Sequence, residues 1–171
     1  MTDTADAGGP APDATTEDFL LNGRVRLTQP ARGYRAAIDP VFLAAAVAAG
    51  PNETVLDLGC GAGAASLCLA VRVSGCRITG IEADRRLVRL AGDNVTRNAL
   101  SDRVLMQAGD LLRPPPRLEP GGFSHVMANP PFLPTGVATP SPLAAKARAT
   151  VEGDADLAAW IRFALTMVRA K

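Results

Sequence analysis

Four short stretches of the sequence carry residue types with chemistry to offer. The first is Asp57-Leu58-Gly59-Cys60-Gly61-Ala62-Gly63, where an apolar run ends in three alternating glycines ahead of small, helix-compatible residues. Glycine reaches dihedrals closed to other residues and lets backbone approach a ligand, and a helix start offers unpaired N–H groups. Such a run by itself also describes an ordinary tight strand-to-helix turn. The second is Glu82, twenty-three residues beyond Gly59, where a doubly wound sheet places the acid that grips ribose hydroxyls through both carboxylate oxygens. Gly109-Asp110 closes the next apolar run in the same manner. The fourth is Asn129-Pro130-Pro131-Phe132. Its two prolines remove two backbone donors and fix φ, so a stiff turn presents the carbonyls of Asn129 and Pro130 with an aromatic ring beyond them. This acceptor-rich geometry suits a planar group bearing an NH2, although Pro-Pro also simply terminates strands.

The first three stretches together point to an adenosine-containing ligand bound outside the carboxyl ends of parallel strands. The glycines lack the spacing of the pyrophosphate fingerprint, and no Gly-Lys-Ser/Thr phosphate loop is present, so a nucleoside without phosphates fits better. No His/Cys/Asp/Glu group has the spacing of a metal site. His125, the single histidine, falls inside an apolar run and reads as strand packing rather than catalysis.

Positioning these residues requires short strands alternating with longer amphipathic helices, the signature of a parallel sheet with crossover helices. Strands are predicted at 54–58, 77–81, 104–107 and 123–128, with helices at 62–73 and 84–100. In the second helix Leu87, Leu90, Ala91, Val95 and Ala99 fall near one face. Arg113-Pro114-Pro115-Pro116-Arg117 cannot continue a helix, so that crossover is predicted to be a loop. Residues 133–153 read as a surface loop and 154–170 as a last helix, whose apolar face (Leu157, Trp160, Ile161, Ala164, Leu165, Val168) needs a sheet to cover. Upstream, Asn22-Gly23 between two short extended runs at 19–21 and 24–27 signals a hairpin, and Asp39-Pro40 starts a helix to Val47. The predicted organisation is therefore a disordered tail (1–18), a hairpin-plus-helix cap (19–50) and an α/β domain (51–171).

Composition is that of an ordinary domain: 171 residues, 47% hydrophobic and 20% charged, which excludes collagen, coiled coil and wholesale disorder. Cys60, Cys68 and Cys76 are odd in number and read as free thiols, two or three of them in the core, in a reducing compartment. The longest apolar run, 41–49, falls far short of the ~20 residues a bilayer needs, and no basic-then-apolar start directs secretion. A cytoplasmic protein without membrane contact is the expectation. Five acids and no base lie in residues 1–18, leaving eighteen bases against twelve acids elsewhere. Arg24, Arg26, Arg32 and Arg35 cluster within twelve positions and are candidates for phosphate contact, as are Lys146 and Arg148.

The pairing of Asp57-x-Gly59-x-Gly61-x-Gly63 with Asn129-Pro130-Pro131-Phe132 resembles class I S-adenosylmethionine-dependent methyltransferases of the Asn-Pro-Pro-Phe/Tyr amino-methylating group. Leu27-Thr28-Gln29-Pro30, Gly33-Tyr34-Arg35, Ile38-Asp39, Leu43-Ala44-Ala45 and Thr139-Pro140-Ser141-Pro142 are similar to the bacterial branch acting on adenine N6 of a valine tRNA. The resemblance implies a Rossmann-like fold with strand order 3-2-1-4, continued in the family by about three further strands. On that pattern this chain stops within the helix that feeds the fifth, leaving the fourth strand open along one edge. The family's roles map residue by residue. Asp57, Gly59, Gly61 and Gly63 would surround the methionine part of the donor, Glu82 its ribose and Asp110 its adenine amine, while Arg35 and Asp39 would reach its carboxylate and amino end. Asn129, counted also among the donor's contacts, and the Pro130 carbonyl would accept hydrogen bonds from both N–H groups of the target NH2, beside Pro131, with Phe132 stacked on the base. The implied cofactor is S-adenosylmethionine, without metal, and the implied partner is tRNA with its target base unstacked. No obligate protein partner is implied. A protein glutamine N5-methyltransferase, a DNA or rRNA adenine-N6 enzyme, and an inactive cofactor- or RNA-binding fragment are the alternatives.

Overall fold

The computed structural model describes residues 14–33, 35–130 and 155–170. Strands β1 (Thr15–Leu20) and β2 (Val25–Pro30) pair antiparallel around Asn22-Gly23, and helix α1 (Asp39–Ala46) follows. Then come β3 (Thr54–Leu58), α2 (Ala64–Arg72), β4 (Arg77–Glu82), α3 (Arg85–Arg97), β5 (Val104–Ala108), β6 (His125–Ala128) and, after residues outside the description, α4 (Leu157–Met167). The second sheet is parallel, in the order β5-β4-β3-β6, the 3-2-1-4 arrangement that the family resemblance implies. Residues 109–124 contain no helix, as the proline run requires.

β3 is central and buried on both faces, so its side chains sort by the two-residue period of a strand. Val55 packs with α2, the hairpin and Ile78, whereas Leu56 and Leu58 join Ile81 and Met167 beneath α4. Each of these fully buried aliphatic side chains stabilises the sheet by about 1.5–3 kcal/mol. Cys60, Cys68 and Cys76 are free and buried. α3 begins at Asp84, whose carboxylate accepts from the Arg86 N–H, a standard N-cap.

The predicted tail is corrected at its end. Residues 15–18 belong to β1, and their acids are ion-paired: Glu17 with Arg26 and Arg97, Asp18 with Arg35. The rest of the predicted tail, 1–13, lies outside the described residues. The hairpin is held to α3 by two carboxamides one helical turn apart. Asn98 accepts from the Arg26 N–H and donates to its carbonyl, and Asn94 does the same for Thr28. Both outward-facing backbone pairs of β2 are thereby satisfied.

Val168, just past α4, forms a parallel bridge to Phe123, with Arg169 N donating to the Phe123 carbonyl at 2.7 Å. The predicted fourth strand starts at His125 rather than Phe123, because Phe123 bonds instead to this segment. The edge of that strand is thus met at its start by the chain leaving α4. Among the described residues no helix is long and apolar enough to cross a membrane.

Candidate functional site

Parallel register brings the informative residues to one edge. Leu58 of β3 lies opposite Ile81 of β4 and Ala128 of β6, and Glu82 lies opposite Ala108 of β5. Gly59, Ala83, Gly109 and Asn129 therefore leave four neighbouring strands on the same side.

The glycine turn is pinned before any ligand arrives. Gly59, Gly61 and Gly63 have φ of 67°, 56° and 88°, a region that costs other residues roughly 1–2 kcal/mol each. The Gly59 and Cys60 N–H groups both donate to the Ile81 carbonyl, at 2.9 and 3.0 Å. Glu82 stitches the turn from the other side: Oε2 accepts from Gly61 N (3.0 Å) and Oε1 from Asp84 N (2.9 Å). A carboxylate oxygen has two acceptor positions, so each still has one to offer.

Asp57 faces α2 and is only 2% exposed. Its Oδ2 accepts from Ser66 Oγ at 2.6 Å. Burial pushes its carboxyl up to about 7, with the Ser66 hydrogen bonds opposing and the negative charge of Glu82 adding to the rise. Cys60 turns back into the sheet, 3.7 Å from Met106 Sδ, and burial raises its thiol well above the ordinary range. Gly80 makes this possible, since a Cβ there would lie 2.5 Å from Met106 Sδ and 2.8 Å from Cys60 Sγ.

A small cleft opens between the ends of β3, β4 and β5, lined by Gly59, Glu82, Ala83, Gly109 and Asp110, with Trp160 of α4 as its far wall. Asp110 accepts the Leu112 and Arg113 N–H groups through Oδ1, at 2.8 and 2.7 Å. Its side chain is thereby oriented by its own turn, and Oδ2 takes no hydrogen bond from the described residues. A pair of acceptor-rich carboxylates across an apolar-walled cleft is chemistry for a neutral, hydroxyl- and amine-bearing ligand.

The structure thus brings Gly59, Glu82 and Asp110 together, with Gly61 bonded to Glu82 and Asn129 at the same edge. Arg35 and Asp39 do not line the cleft. The Arg35 guanidinium is taken up by Thr16 Oγ1 (2.5 Å), Asp18 Oδ2 (2.8 Å) and the Pro30 carbonyl (3.1 Å), and Asp39 is exposed in the first turn of α1. Arg24 donates to the Val71 carbonyl, so three of the four clustered arginines have acceptors inside the chain. His125 sits at the opposite end of β6 from Asn129 and bonds Glu53 at 2.9 Å. Pro131, Phe132, Lys146 and Arg148 lie outside the described residues.

Three shaping residues escaped the sequence reading. Gly80 had a legible signal, since an isolated glycine inside a strand marks a close approach. Asn94, which also donates to the Ala62 carbonyl of the glycine turn, and Trp160, placed only on an apolar helix face, had none.

Residues 38–154 match the family model described as methyltransferase small domain. The chain belongs to the methyltransferase small-domain family. Among curated members with similar sequence is a tRNA1(Val) (adenine(37)-N6)-methyltransferase of Porphyromonas gingivalis, 30% identical over 129 residues, which are 72% of this chain and 51% of that protein. A release factor glutamine methyltransferase of Gloeobacter violaceus is 33% identical over 81 residues, covering 47% of this chain and 27% of that protein. This member of the small-domain family spans about half the length of the tRNA-modifying relatives it matches. Its Rossmann-like methyltransferase fold is shared with Pyrococcus horikoshii TYW2, solved in complex with MeSAdo. TM-score is 0.62 at 19% identity, over 92% of this chain and 49% of that one.

Proposed function

We propose that this chain carries the S-adenosylmethionine site and the amino-accepting turn of an N-methyltransferase that acts on adenine N6 in tRNA. The observation that carries the reading is the convergence of the Glu82-braced glycine turn, Asp110 and Asn129-Pro130 at one sheet edge. The donor set fits the cofactor chemically: Glu82 keeps an acceptor on each oxygen for two ribose hydroxyls, and Asp110 an uncommitted Oδ2 for an adenine amine. Gly59, Gly61 and Gly63 would give the methionine part a wall without side chains. Asp57, buried against Ser66, would act from behind that wall by fixing the start of α2. Arg35, held by Thr16, Asp18 and the Pro30 carbonyl, and Asp39, exposed on α1, have no part in this donor site.

When bound, S-adenosylmethionine supplies an electrophilic methyl on a sulfonium. The protein's part is positioning. An adenine amino nitrogen is a poor nucleophile because its lone pair is delocalised into the ring, and alignment at near-attack distance contributes most of the rate. Asn129 and the Pro130 carbonyl would accept hydrogen bonds from the two amino N–H groups, direct the nitrogen lone pair towards the methyl and strengthen their hold as the nitrogen becomes positive. Pro131 stiffens the turn and Phe132 stacks on the unstacked base. No strong base is needed, since an alkylated amine sheds its proton readily.

A second reading, methylation of a protein glutamine, is supported by the Gloeobacter violaceus relative. The test is calorimetric titration with S-adenosylhomocysteine, followed by transfer of labelled methyl to tRNA or to a release factor. Glu82→Ala should weaken binding by roughly 10- to 100-fold, the value of hydrogen bonds to a charged acceptor. Asn129→Ala should weaken binding far less than Glu82→Ala and abolish transfer. Failure of the folded protein to bind overturns the cofactor assignment, and transfer only to the release factor overturns the tRNA one.

A further inference from the structure

Trp160 is the chain's single tryptophan, and its indole lies over the glycine turn. A Cβ built on Gly59 would meet ring carbon Cη2 at 2.7 Å and Cζ3 at 3.3 Å. The same ring walls the cleft that contains Glu82 and Asp110. The cleft beside it has a volume of about 60 Å³, small against the roughly 300–1,000 Å³ of pockets that bury drug-sized ligands. At its foot the indole packs near Leu56, Leu58, Ile81 and Met167. The ring therefore packs on the core on one side and borders the cleft beside Glu82 on the other.

We propose that Trp160 is a donor-site residue: its indole, lying over Gly59 beside Glu82 and Asp110, forms an aromatic wall against the adenosine of the donor. The inference rests on the cofactor reading above and adds the residue that packs against the bound nucleoside. An aromatic face suits this place because it stacks on a purine irrespective of hydrogen-bond pattern, leaving selection to Glu82 and Asp110. It also links the cleft to the sheet edge, since α4 leads directly into the Val168–Phe123 bridge.

With a single tryptophan, intrinsic fluorescence reads this residue alone. Titration with S-adenosylhomocysteine should change the emission saturably, with a midpoint equal to the calorimetric Kd. Adenosine alone should produce a change of the same sign, and methionine none. Trp160→Ala should weaken S-adenosylhomocysteine about tenfold, while Trp160→Phe, which keeps a stacking ring and the core anchor, should stay within about threefold. Melting curves of both variants separate a binding loss from unfolding. If calorimetry records binding while the emission of the wild-type protein stays unchanged, the Trp160 assignment is overturned and the cofactor reading stands. Full affinity in a folded Trp160→Ala protein overturns it as well. If the folded wild-type chain binds no S-adenosylhomocysteine, both fall together.

Discussion

Asp57 is a carboxyl group buried behind the glycine turn, and its titration should be visible in the protein's stability. Its pKa rises from 3.8 to about 7 on folding. A raised carboxyl pKa means that the folded state holds the proton longer than the unfolded one. The contribution to stability is then fully present below pH 3.8 and is lost as pH climbs towards 7. Between pH 5 and 8 the linkage relation gives a loss of roughly 2–3 kcal/mol, or about 5–10 °C in Tm for a domain of this size. Asp57→Asn keeps an acceptor for Ser66 Oγ but has nothing to titrate. Urea unfolding of both proteins from pH 5 to 8 isolates the effect, because subtraction cancels every other group. Asp18 and Asp84 act elsewhere, since hydrogen bonds from Gln29 and Arg86 hold their carboxyls low and their contribution is lost only on acidification below the usual carboxylate range. Parallel stability curves for wild type and Asp57→Asn would refute the claim that this carboxyl is buried and largely protonated at pH 5.

Gly80→Ala should cost about 1–3 kcal/mol by forcing a methyl into Met106 and Cys60. The double variant with Met106→Ala should lose less than the two singles combined, and a denaturation cycle measures that coupling. Asn94→Ala strips the partners from Thr28 N, Thr28 O and Ala62 O, so roughly 3 kcal/mol should go. Amide exchange should show protection falling first in β2.

The parallel sheet was legible because a central strand buried on both faces, residues 54–58, reads as a short apolar run ending in glycine. The cleft acids Glu82 and Asp110 were legible because strand ends announce themselves by a change from apolar to polar. β1 was not. Its acids read as a solvated tail, yet the burial that holds the hairpin comes from Val25 and Leu27 on its partner, and its own charges are met by Arg26, Arg35 and Arg97. Arg35 shows the same limit: sequence spacing offers a cation, and only the fold reveals that Asp18 already holds it. Helical periodicity places Trp160 on the apolar face of its helix, and nothing in it reports that one ring reaches past the core to a glycine in another element.

The carboxamides of Asn94 and Asn98 have a mechanical consequence. A two-stranded hairpin is marginal by itself, but here a helix supplies what a third strand would, and β2 has no open edge left towards α3. Hairpin and helix are thereby braced as one unit. That body starts at Asp84, directly beside the carboxylate that braces the glycine turn. Any tilt of α3 away from the hairpin has to break the four hydrogen bonds made by Asn94 and Asn98 to β2.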